Sequence, residues 1–214
     1  MRVANPGPRP DPVTPYRYIG GDPSIDFVNT ADWIPRGRDR FTSYDRILEW
    51  AVGTAVISTS TADSLRRIAR AEPHHAARMV ENAIELRGLL EQLYFDIASG
   101  ESTTSDIAQL NQRWLSESLA HLALTQTRDD TFQLGWPRQD VALGSPLWHV
   151  VWSAAQLLTS EDMARIRRCG GVDCGWYFVD RSRNGLRRWC EMETCGTQMK
   201  SRRRAARNTG TSAA

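Results

Sequence analysis

The sequence predicts a mostly helical α+β domain over residues 16–160, followed by a small cysteine-held module over residues 161–207. Three observations lead there. Between Pro73 and Gly100, Met79, Ala83, Leu86, Leu90, Leu93 and Ile97 recur at alternating spacings of four and three, the period of a helix with one apolar face. All four cysteines of the 214-residue chain lie between positions 169 and 195. Charge is divided in the same way: residues 165–207 hold 12 basic and 4 acidic groups and the rest holds 15 and 21, so the net +2 hides an acidic body and a basic end.

Residues 1–15 hold five of the ten prolines and no apolar run, which predicts a Pro-rich leader and not a secretory signal. No stretch reaches the roughly 18 apolar residues that a membrane span needs. A cytoplasmic protein is expected. Ser24–Thr30 reads as an apolar strand or turn with Asp26 and Asn29 inside it. Asp45–Gly53 is a short helix. Ser60–Ala71 has hydroxyl and acidic residues at its start and Arg66, Arg67 and Arg70 toward its end, as the helix dipole prefers. Proline opens the long helix at Pro73 and glycine closes it at Gly100.

Asp106–Glu117 continues in helical period, and His121–Gln126 with Thr131–Leu134 reads as an antiparallel hairpin. Ser145–Thr159 returns to helix. Glu161–Arg168 is expected as a last short helix delivering the chain to Cys169, and residues 208–214 as a flexible tail.

The cysteines run Cys169-x4-Cys174-x15-Cys190-x4-Cys195. Two close pairs joined by a hairpin-length segment suit a tetrahedral thiolate site, which points to one structural zinc ion. Two disulfides and an iron–sulfur cluster are the alternatives; a reducing cytosol disfavours the first and the spacing the second. Trp176–Val179, the turn dipeptide Asn184-Gly185 and Leu186–Trp189 read as a β-hairpin, and Thr197–Arg207 as a helix. Knuckle, hairpin, knuckle and helix describe a treble-clef-like zinc module. So small a unit takes most of its stability from the metal, about 10–16 kcal/mol in comparable peptides.

The run Cys169-Gly-Gly-Val-Asp-Cys174-Gly-Trp-Tyr-Phe-Val-Asp180-Arg-Ser-Arg-Asn184, with Arg188-Trp189-Cys190-Glu-Met192 and Cys195-Gly196, resembles the CGNR zinc-finger family of bacterial proteins. Ser24-Ile-Asp26-Phe27-Val28-Asn29-Thr30, Leu48-Glu-Trp50-Ala51, Leu86-Arg87 and Leu110-Asn111 resemble the ABATE domain that precedes such fingers. The resemblance implies stress-induced transcription regulation and a DNA partner. This chain has Thr197-Gln198 where the family signature has Asn-Arg, so the cysteine ligand is kept and a basic residue is not.

On an ideal helix Lys200, Arg203, Arg204 and Arg207 share one face, and Arg181, Arg183, Arg187 and Arg188 crowd the hairpin beside them. These eight are the candidate nucleic-acid contacts. No phosphate loop, nucleophile elbow or His-Glu-x-x-His is present, and four thiolates leave the metal no open position, so an enzyme is not expected. His121 and His149 read as core histidines. Asp26, Asn29 and Arg87 either line a pocket for a small-molecule effector or form a buried Asp26–Arg87 pair beside a hydrogen-bonded amide. The competing functions are a zinc-stabilised protein-interaction module and RNA binding through Trp176, Tyr177 and Trp189.

Overall fold

The computed structural model describes residues 16–31, 39–126, 129–137 and 141–210, with the side chains of 207–210 excepted. The Pro-rich leader and the end of the tail lie outside the described residues. Ser24–Thr30, expected as a strand or turn, is largely helix α1 (Pro23–Val28). Asp22 caps it by accepting the Ser24 N–H at 2.8 Å, and Pro23 opens it with a helix-ready φ. Ser24, Ile25, Asp26, Phe27 and Val28 are all buried, so α1 has no solvent face and shows no amphipathic period in the sequence.

The other body helices follow their predicted positions closely. They are α2 (Tyr44–Gly53), α3 (Thr59–Ala71) and α4 (Pro73–Ser99), with Ser43 and Ser58 capping the first two. The predicted stripe of α4 is buried from Met79 to Leu93, and Gly100 ends the helix at φ +76, a left-handed conformation suited to glycine. Helix α5 (Thr104–Gln109) passes through a π-helical turn, Leu110–Leu115, into α6 (Ser116–Ala120). The expected hairpin is β1 (Ala123–Gln126) against β2 (Phe132–Gly135), and α7 (Ser145–Leu158) completes the body. Phe27, Phe41, Trp50, Leu86, Leu90, Tyr94 and Val150 meet in its core.

The C-terminal module departs from expectation in its pairing. Glu161–Arg165 is a 3-10 turn, and Ile166–Arg168 is not helix but strand β3, antiparallel to β4 (Tyr177–Val179). Leu186–Trp189, expected as the returning strand, forms none. The far edge of β4 is already taken by the body. Gly20 O accepts the Val179 N–H at 2.8 Å, and the Asn29 amide closes on Tyr177, Nδ2 donating to its carbonyl at 2.9 Å and Oδ1 accepting its N–H at 2.8 Å. One asparagine side chain thus stands in for a neighbouring strand. Beyond the strands, a π-helical turn (Met192–Gly196) leads into α8 (Thr197–Gly210).

This seam is apolar as well as hydrogen-bonded. Ile166, Tyr177 and Val179 join the body's core, with Tyr177 against the Tyr94 ring and its hydroxyl donating to Glu91. A second, much smaller cluster, Cys169, Phe178 and Cys190, lies under the cysteine site, with Ile19, Trp176 and Trp189 packed around it.

Candidate metal centre and basic surface

Cys169 and Cys174 bracket the turn between β3 and β4, which is one knuckle; Cys190 and Cys195 bracket the turn leading into α8, which is the other. The four sulfurs lie within 4.8 Å of one another. Cys174 Sγ is 3.7 Å and Cys195 Sγ 3.6 Å from Cys190 Sγ, close to the ~3.8 Å edge of a tetrahedron with zinc–sulfur bonds of about 2.3 Å. The four cysteines are unpaired with one another, so the disulfide alternative has no support in the geometry. Gly171 completes the cradle: a Cβ there would come within 3.3 Å of Cys195 Sγ.

The electrostatics ask for a cation. Thiol hydrogen bonds from Cys174, Cys190 and Cys195 hold Cys169 well below the ordinary thiol range, and the same contacts push Cys190 far above it. Four sulfurs this close cannot all ionise unless a positive charge sits among them. The donor set, its spacing and its burial fit a tetrahedral thiolate-bound ion, with no fifth protein ligand among the described residues.

Asp180, at the end of β4, is fully buried, and its role was not read from the sequence. Its carboxylate accepts the Ser182 N–H and Oγ–H at 3.0 and 2.6 Å and the Arg187 N–H at 2.9 Å, folding residues 180–187 into a fixed loop. These bonds hold its carboxyl below the ordinary carboxylate range against the opposing effect of burial. An Asp two residues before a Ser, just past an aromatic run, was the available signal for this turn.

The eight candidate cations divide into two groups. Arg181 and Arg187 are structural ties. Arg181 bonds Asp162 and Gly21 O, while Arg187 lies 4.3 Å from the Phe178 ring centroid and donates to the carbonyls of Trp189, Cys190 and Ile19. Arg183, Lys200, Arg203 and Arg204 are exposed without an ion pair among the described residues, and exposed Arg188 only overlies the Trp189 ring. The side chain of Arg207 lies outside the described residues. Gln198 is exposed on α8, about 160° of helical rotation from Lys200 by the 3.6-residue period, on the side where Arg202 pairs with Asp173.

The body residues singled out from the sequence do not meet as expected. Arg87 pairs with Asp39, not Asp26, donates to Thr30 Oγ1 at 3.1 Å and lies over the Phe41 ring. Asp26 instead accepts the Gly20 N–H at 2.8 Å, and burial pushes its carboxyl up to about 7. Asn29 is committed to Tyr177. Among the cavities of the described residues, a groove of about 520 Å³ runs between Thr42–Asp45, Arg66, Arg70 and the Pro73–Glu81 end of α4, touching none of these three.

Of the two histidines expected in the core, His149 is partly buried against Trp136, and burial lowers it to about 4. His121 is exposed and stacks on Trp148 at 3.9 Å, a ring contact that an apolar neighbourhood in sequence does not distinguish from burial. Tyr177 is fully buried and Trp176 and Trp189 half-buried, so the three aromatics considered for base stacking serve the interior.

No helix among the described residues is long and apolar enough to cross a membrane. Two family models match the chain. One, described as "CGNR zinc finger", covers residues 165–208, and the other, ABATE, described as "Putative stress-induced transcription regulator", covers residues 21–161. No curated protein gives a significant match.

Proposed function

The chain belongs to the ABATE family and ends in a CGNR zinc finger, and from that premise we propose that it is a cytoplasmic transcription regulator whose C-terminal module, built on one structural zinc ion, holds duplex DNA by arginine–phosphate contacts. One observation carries this reading. Five cations of a single small module, Arg183, Arg188, Lys200, Arg203 and Arg204, face solvent without an ion-pair partner among the described residues, while Asp173, Asp180 and Glu191, three of the module's four acids, are engaged elsewhere. Fixed cations on a rigid scaffold suit a polyanion.

The zinc is structural because four thiolates fill a tetrahedron and leave no place for substrate or water. The body's part is to sense a small molecule, and its open groove beside α4 has the room that such ligands take. Asp26, Asn29 and Arg87 bear on sensing only indirectly, by fixing the seam and the core through which a bound effector acts.

Anisotropy titration of a labelled duplex over a range of salt tests the reading. Five phosphate contacts give a log-affinity slope against log salt of about −4 to −5. Arg203→Ala/Arg204→Ala together should flatten it by about 2. Equal affinity of the two proteins at low salt, or no binding by either, would favour the protein-interaction module, and preference for single-stranded RNA would favour the RNA reading.

A further inference from the structure

The loop from Asp180 to Trp189 is more rigid than its missing strand suggests. Its start is fixed by the buried Asp180 carboxylate, its middle by Arg187 on Phe178, and its end by Gly170 N–H donating to Arg188 O at 2.9 Å just before the ligand Cys190. A turn closes its tip, Gly185 N–H donating to Ser182 O at 3.1 Å with Gly185 at φ +62, a value that favours glycine. Three side chains are left with nothing to do. Arg183 and Asn184 are exposed with no side-chain hydrogen bond among the described residues. Leu186 is 75% exposed, more than any other large apolar side chain described.

A flexible loop would fold such a leucine back onto the protein; this one is held outward. We infer that the tip Arg183-Asn184-Gly185-Leu186 enters the major groove of duplex DNA and reads an A·T pair, Asn184 bonding the adenine edge and Leu186 packing on the thymine C5 methyl. The inference rests on the DNA reading above and deepens it by assigning specificity to the loop and affinity to the helix. The chemistry is matched in type: an asparagine amide has one donor and one acceptor, as adenine N7 and N6–H2 require, and the methyl is the apolar feature of the same pair. Arg183 and Arg188 flank the tip and would hold the phosphates on either side, with no sequence information of their own.

The experiment uses the full-length zinc-loaded protein. A consensus duplex is selected from a random pool by the wild type, and each A·T pair is then altered at one atom group, deoxyuridine removing the thymine methyl and 7-deazaadenine removing N7. At one pair, each change should weaken the wild type about fivefold to tenfold. Leu186→Ala should become indifferent to deoxyuridine and Asn184→Ala to 7-deazaadenine, with both salt slopes unchanged, whereas Arg203→Ala/Arg204→Ala should lose salt slope but keep both sensitivities. Absence of any consensus, or a consensus whose modified pairs bind like the natural ones, overturns the tip assignment while salt-dependent binding sustains the DNA reading. Failure of the wild type to bind duplex DNA in a salt-dependent way overturns both.

Discussion

The body and the module are held together by different physics although they share a seam. The body buries a continuous core from Ile25 and Phe27 through Trp50, Leu90 and Val150, and so follows from apolar burial alone. The module's own cluster amounts to Phe178 and two of its cysteines, too little for a fold by that route. On the zinc reading proposed above, thiolate–metal bonds supply the remainder. On that reading one chain carries an element whose shape depends on metal supply beside one whose shape does not. It also places the coupling between them: Asn29, Gly20 and Tyr94 on one side, Tyr177 and Val179 on the other.

The largest break in this comparison is expected from the metal side. Cys195→Ser removes one ligand of four, and the variant should bind far less than one zinc per chain by elemental analysis and lose order in residues 169–196. The body should keep a cooperative thermal transition, at a lower temperature because part of its seam is now exposed.

Next comes the seam. Asn29→Ala strips two partners from the Tyr177 backbone and leaves both groups buried, which costs about 2–4 kcal/mol by urea unfolding. Asn29→Asp is the sharper variant: a carboxylate accepts the Tyr177 N–H but cannot donate to its carbonyl, so half of the pairing is lost and a charge is buried.

How much of this fold a sequence pattern can carry follows from the range of the interactions. The cysteine spacing and the stripe of α4 are local patterns, and both placed their elements. Asn29 meets Tyr177 across 148 positions, and no local pattern carries that information. The same pairing explains the misplaced hairpin, because β4 looked as if it needed Leu186–Trp189 only while its other neighbour was unknown. Arg87 was singled out as a buried-pair candidate and is buried, yet its partner Asp39 lies in a separate segment 48 positions away, and Asp26 was merely an acid in a recognisable motif.

A smaller effect separates body from module by pH. The folded pKa of Asp26, about 7, lies above its ordinary 3.8, so its contribution to stability is complete below about pH 4 and is lost as pH rises through 7. His149 acts at the acid end: its folded value of about 4 lies below 6.5, so stability falls as pH drops between them. Melting temperatures of the zinc-loaded protein should therefore decline between about pH 6 and 7, above the range in which His149 titrates, and level off at higher pH, and Asp26→Asn should flatten that decline. The smallest effect concerns the signature position. Gln198→Arg should change DNA affinity by less than about twofold, within the range of an exposed charge off the contact face, because Gln198 lies on the Arg202 side of α8 and not on the Lys200–Arg203–Arg204 face.

Amide hydrogen exchange of the full-length protein, followed before and after chelation and again after zinc is restored, tests the division between the two regions most directly. Chelation should remove protection from residues 169–196 and weaken it at the seam around Tyr177, the centres of α2, α4 and α7 should stay protected, and zinc should restore the original pattern. Loss of protection throughout the chain on chelation, or none anywhere, would contradict that division.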